Sequence, residues 1–200
     1  MKDDAFYRLG LRVLGKLPAN ANSQGRVVVI TSARDGEGKT HVAQALAQAL
    51  AAQCSEAVAL VACEAAPGEA GPGWSELVHE GTWQDTMALP PASGEGPVRI
   101  RAGHKARAET LFKPDAVAQA LGALRQRFGM VIVDAPSLAG CGALLRQADS
   151  CLLVVNAKDT RREVVQGALT ANPVPADRLL GTVLNQRPEY VPSWLYRWVL

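Results

Sequence analysis

The chain alternates between short unbroken apolar runs and longer stretches in which apolar residues recur three and four positions apart. The runs are Val27 to Ile30, AVALVAC from Ala57, Met130 to Val133 and Leu152 to Val155, and LLGTVLNQ from Leu179 closes the series. Runs this short, rich in branched residues and bounded by turns, predict strands, and Met130 to Val133 a buried one. VRIRAG from Val98 predicts a further strand. Between the runs, Val42, Ala45, Leu46, Ala49 and Leu50 share one helical face, as do Val117, Leu121, Leu124 and Phe128 behind Pro114. Strand and helix in repeated alternation predict an α/β fold with a doubly wound, mainly parallel sheet.

The remaining stretches are less regular. Residues 4–17 predict an amphipathic helix, with Phe6, Leu9, Val13, Leu14 and Leu17 on one face and Arg8, Arg12 and Lys16 on another. Such a helix either packs on its own domain or docks on a membrane surface or partner. PANANSQG from Pro18 reads as a loop, as do the Pro- and Gly-rich residues 65–73 and 90–97, and WSELVHEGTWQDTM between them predicts a small helix. His104, Lys105 and Arg107 form a basic string, either a solvated loop or a contact for phosphate or an acidic partner. Thr160 and Glu163 have the spacing of a capping box, which assigns Thr160 to the start of the last helix. At the end of the chain Trp194, Leu195, Trp198 and Val199 recur at helical spacing, for core packing or for interfacial contact. Three segments follow: a helix and linker over 1–22, a domain over 23–187 and a Trp-rich tail over 188–200.

Composition narrows this picture only slightly. With 200 residues, 48% of them hydrophobic and a formal net charge of +2, the chain can bury its own core and gives no case for a specific nucleic-acid partner. No apolar run is long enough to span a bilayer, so a soluble or peripheral protein is expected. Cys54, Cys63, Cys141 and Cys151 show no CxxC pairing and no secretory signal is visible, which predicts reduced cytosolic thiols. Cys141, in a stretch after Asp134 that reads as flexible, is expected to be a plain small residue.

The chemistry concentrates in VVVITSARDGEGKT, Val27 to Thr40. A strand gives way to a Gly-rich turn and then to a helix, the order needed to aim backbone N–H groups and a helix dipole at phosphate. Gly36 and Gly38 let the backbone curl, Lys39 would reach the β and γ phosphates, and the Thr40 hydroxyl would face Mg²⁺, as in a Walker A loop. Ala33 stands at the motif's first glycine. Cofactor contact is expected from Asp35, Gly36, Glu37, Gly38, Lys39, Thr40 and His41. Asp134 closes a buried strand at its carboxyl end, where open parallel sheets keep their ligands, and is the Walker B candidate. Asn185 falls at the same edge.

SARDGEGKT, VALVACE, VIVDAP and VLNQ, in that order, resemble the cytoplasmic domain of bacterial tyrosine kinases, the BY-kinases. The GEGK form and the ending YVPSWLYRW are similar to the polysaccharide branch of this deviant Walker class of P-loop NTPases. The resemblance implies ATP and Mg²⁺ as cofactors, with Gly36, Gly38, Lys39 and Thr40 holding phosphate and metal, Asp134 as the Walker B acid and a metal ligand, and Asn185 beside adenine. It further implies a cytoplasmic protein, peripheral at the inner membrane, that works with a transmembrane polysaccharide co-polymerase or an exopolysaccharide assembly protein in exopolysaccharide or capsule production and can form homo-oligomers.

The departures bear on catalysis. The family's Walker A′ motif carries two aspartates, and here those places are Ala62 and Glu64. Alanine neither takes a proton nor binds a metal, and loss of a general base commonly costs about 10²-fold to 10⁴-fold in rate. Lys39, Asp134 and Glu64 are left as the catalytic candidates. The three ring-forming places of the family's first helix are Asp4, Tyr7 and Gly10, the chain offers only Tyr190 and Tyr196 near its end as acceptors, and no acid lies between Asp134 and Asp149. The resulting expectation is an ATP-binding BY-kinase-like protein with weak or lost tyrosine autokinase activity. The alternatives are a non-catalytic ATP-gated interaction module for a membrane partner, or a positioning ATPase of the septum or plasmid-partition kind with Arg34 in place of a signature lysine.

Overall fold

The computed structural model describes residues 2–17, 24–65, 71–80, 96–103 and 113–186. In chain order the elements are α1 (Lys2–Lys16), β1 (Arg26–Ser32), α2 (Lys39–Gln53), β2 (Val58–Ala62), α3 (Trp74–Glu80), β3 (Val98–Ile100), α4 (Pro114–Arg127), β4 (Met130–Asp134), α5 (Gly142–Gln147), β5 (Ser150–Asn156), α6 (Arg162–Ala171) and β6 (Leu179–Asn185). The strands form one sheet in the order β3-β2-β4-β1-β5-β6, and every pairing is parallel. From β1 the chain crosses over β4 to reach β2, whereas from β4 it crosses over β1 to reach β5. The two crossovers diverge, and a crevice opens at the carboxyl ends of β1 and β4, where such sheets hold their ligands.

Alternation within the apolar runs decides what lies on each face. Val28, Ile30, Leu60, Ile132, Leu152 and Val154 point into a layer with α1 and α2, while Val27, Val29, Val61, Val131, Leu153 and Val155 pack under α3, α4 and α5. The strands β1, β2, β4 and β5 are almost wholly buried. Each large aliphatic side chain there contributes about 1.5–3 kcal/mol by leaving water. A polar clamp fixes the entry to β1: Asp149 Oδ2 accepts from the Val27 N–H at 2.6 Å and from Arg125 Nη1 at 2.6 Å. The same guanidinium donates to the carbonyls of Gly25 and Gln147, which ties α4 to β1 and to the start of β5.

Of the two destinies for the first helix, the structure shows packing on its own domain. Val13 and Leu17 are buried in the α2 layer, and Lys16 Nζ donates to the Leu180 carbonyl of β6 at 3.0 Å. Gly10 brings α1 close to α2: a side chain there would meet the Gln53 amide, whose Nε2 donates to the Tyr7 carbonyl at 2.9 Å. Of the places that the family uses for ring formation, Gly10 therefore faces α2 inside the domain, while the Tyr7 side chain stays exposed.

Two expectations need correction. Thr160 is not the cap of the last helix. Arg161 is the N-cap of α6 and makes no side-chain cap bond, and the Thr160 hydroxyl turns instead to the phosphate loop. Cys141 does not lie in a flexible stretch; it precedes the short helix α5, which the apolar pattern does not announce, and is fully buried, with its Sγ 3.5 Å from Thr31 Oγ1. The small helix begun by Trp74 is described to Glu80, and its continuation lies outside the described residues, as do the linker from Pro18, His104, Lys105, Arg107, Tyr190, Tyr196 and the Trp-rich tail.

Candidate functional site

Between β1 and α2 the backbone makes two left-handed steps, Gly36 at φ 81° and Gly38 at φ 83°, which an L side chain adopts only under strain. Gly38 is excluded from substitution a second way, because a Cβ there would strike the Asn185 amide. Around Gly36, in contrast, a Cβ would meet nothing within 4 Å, so that part of the loop stays open for a ligand. Helix α2 starts at Lys39 and aims its first N–H groups at the same opening. Asn185, expected beside adenine, donates from Nδ2 to the Glu37 carbonyl at 2.9 Å and so braces the loop.

The Glu37 side chain is not turned outward. It is 1% exposed; Oε2 accepts from the backbone N–H groups of Ala33 at 2.9 Å and Arg34 at 3.3 Å, and Oε1 accepts from Thr160 Oγ1 at 2.5 Å. Only its backbone is left to face a ligand. His41 also turns aside, its ring meeting Phe6 of α1 edge-on at 5.7 Å.

Lys39 stands at the mouth of the loop, with Nζ 3.2 Å from Glu64 Oε2 and 3.4 Å from Asp35 Oδ1. Burial alone would lower its pKa, but the two carboxylates outweigh burial and raise it, so the ammonium is held charged for an anion. Both partners are exposed, so neither pair is locked by burial.

Asp134 ends β4 directly beside Ala62 of β2. Burial raises its pKa, while a hydrogen bond with the Thr40 hydroxyl and the Lys39 charge act in the opposite direction. Its Oδ1 is buried with no hydrogen-bond partner. An orphaned carboxylate oxygen next to a threonine hydroxyl fits the approach of a hydrated Mg²⁺. Among the described residues no three His, Cys, Asp or Glu side chains gather as a metal site, so an ion there would complete its shell with phosphate oxygens and water. In front of Asp134 lies a cavity of about 240 Å³ whose lining includes Gln44, Ala62, Glu64 and Arg99.

Arg99 is the residue that the motifs do not reveal. On β3 it stands in register with Leu60 of β2, so the pleat sends it to the side of Leu60 and Ala62, and its charge favours ionised Asp134. The signal is a lone arginine between two buried residues in VRI. The buried thiols lie outside this chemistry, since burial pushes Cys63 and Cys141 up and Cys151 to about 12.

No family model matches the sequence. Over 185 residues, 83% of the chain, it is 30% identical to the succinoglycan biosynthesis transport protein ExoP of Rhizobium meliloti (strain 1021). The chain spans about a quarter of that relative, 23% of its length. The fold overlays on the kinase domain of the Escherichia coli tyrosine kinase ETK with a TM-score of 0.76, at 19% identity, covering 96% of this chain and 78% of that one. It overlays on the VpsO kinase domain with a TM-score of 0.70, at 25% identity, covering 94% of this chain and 98% of that one. The chain is BY-kinase-like. In this BY-kinase-like domain the phosphate loop and the β4 carboxylate stand together, and the β2 strand beside them ends in Ala62.

Proposed function

We propose that this domain binds Mg-ATP on the loop between β1 and α2 and regulates exopolysaccharide synthesis or export, with weak or absent transfer of phosphate to tyrosine. The observation that carries the reading is a formed phosphate cradle beside a strand end without an acid: Gly36 and Gly38 in the left-handed region, Lys39 at the mouth, and Ala62 in register with Asp134. In this reading the phosphates draw Lys39 Nζ away from Glu64 and Asp35. Thr40 and Asp134 hold the metal, which supplies charge neutralisation at the β and γ phosphates. Among the described residues that line the cavity, Glu64, released from Lys39, is the acid besides Asp134 left to order a water or an incoming hydroxyl, and it would do so from an exposed position rather than from the end of β2.

The partner belongs to the same proposal. The sequence relative is a transport protein of polysaccharide synthesis, which supports a transmembrane polysaccharide co-polymerase as the partner and the inner face of the membrane as the place of action. No helix among the described residues is long and apolar enough to cross a membrane. Arg34, at the place of the positioning ATPases' signature lysine, is tied to its own chain through Nη2 to Thr160 Oγ1 at 2.9 Å.

The test is the intact mass of the protein before and after incubation with Mg-ATP, with Lys39→Ala as control and peptide mapping of any phosphate. Substoichiometric phosphate or none, together with saturable binding of Mg-ATP, is expected. Stoichiometric, Lys39-dependent phosphate on Tyr190 or Tyr196 would make the domain a working kinase.

A further inference from the structure

We infer that Thr160 is a positioning residue for the phosphate loop and acts through Glu37; the inference rests on the nucleotide-binding reading of that loop. A buried carboxylate is tolerated only when donors satisfy it. Glu37 has three: the N–H groups of Ala33 and Arg34, which belong to the loop and move with it, and the hydroxyl of Thr160, which does not. Thr160 sits in the turn between β5 and α6 and is fixed there by its own N–H, which donates to the Asn156 carbonyl at 3.0 Å. It is thus the donor to the Glu37 side chain that comes from the sheet framework.

The hydroxyl also accepts from Arg34 Nη2 at 2.9 Å, so one oxygen joins both sides of the loop, donating to Glu37 and accepting from Arg34. From the opposite side Asn185, at the end of β6, donates to the Glu37 carbonyl. Glu37 is held by its side chain from β5 and by its backbone from β6. With the loop shape set before an anion arrives, its N–H groups need not be ordered at the moment of binding, which raises affinity without any contact to the ligand. A threonine cap would have kept this hydroxyl on α6, but that helix takes no bond from it.

The experiment uses the full chain with Thr160→Val, which keeps the shape and removes the hydroxyl, and Thr160→Ser, which keeps the hydroxyl. Mg-ATP and Mg-ADP are titrated into each, and melting is followed without nucleotide. The valine variant is expected to bind both nucleotides at least about ten-fold more weakly, and the serine variant to stay within about three-fold of wild type. A purely structural role would lower the melting temperature and leave the dissociation constants unchanged. If the valine variant fails to fold, Thr160→Ala removes the hydroxyl without adding bulk and carries the same expectation. Wild type that binds, with a folded hydroxyl-less variant within about two-fold of it, overturns this inference alone. Wild type that takes up no Mg-ATP removes the nucleotide reading and this inference together.

Discussion

Asp134 is buried at the end of β4 with one oxygen unpartnered, a cost that the folded chain bears. Burial, the largest influence, raises its pKa, so the folded state holds the proton more tightly than the unfolded chain does. The associated stability is full below the ordinary carboxylate range and is lost as pH rises through the raised value. Asp134→Asn is therefore expected to stabilise the nucleotide-free protein at neutral pH by ~1 kcal/mol, to flatten the acid-side dependence of its melting temperature, and to abolish any effect of Mg²⁺ on nucleotide affinity. Gly38→Ala should act in the opposite sense. A non-glycine residue at φ 83° costs about 1–2 kcal/mol, and the new methyl also displaces Asn185, so nucleotide binding and thermal stability fall together in titration and melting. The left-handed turns at Gly36 and Gly38 and the helix start at Lys39 were legible because a Gly-rich strand-to-helix turn has fixed residue types at fixed spacing, and the place of Asp134 because it closes an apolar run. Arg99 and Thr160 were not, because each reaches the site from a strand or turn remote in sequence, and only the sheet register decides that they arrive there.

At the scale of elements, the apolar runs predicted each described strand: β1, β2, β4 and β5 are covered on both faces and read as near-continuous apolar runs, whereas β3 turns Arg99 outward and β6 is only partly covered. Helix α5 escaped because six residues give too little periodicity to read. The capping box misled for a different reason: Thr160 has the spacing to cap α6, but a buried carboxylate from β1's loop competes for the same hydroxyl and wins. The way α4, β1 and β5 are tied together was also illegible, because Arg125 and Asp149 both look like surface residues in sequence. Arg125→Ala is expected to destabilise the fold by about 2 kcal/mol in denaturant titration, since Asp149 and two backbone carbonyls lose a charged donor. Asp149→Asn should cost less, because it can still accept from the Val27 N–H.

For the whole molecule, the diverging crossovers around β1 and β4 put the phosphate loop, the β4 carboxylate and the end of β2 in one crevice. What the domain can do there turns on one position. The cavity beside Asp134 has room for a carboxylate at Ala62, so Ala62→Asp is expected to raise phosphate incorporation from Mg-ATP by roughly 10²-fold, read by intact mass and tyrosine mapping. The central claim comes before any question of transfer: this crevice holds Mg-ATP. Calorimetric titration of the full chain with Mg-ATP, with Lys39→Ala beside it, tests it most directly. The account predicts a single saturable site that the lysine variant loses. No heat of binding up to millimolar nucleotide, or the same isotherm from both proteins, would contradict it.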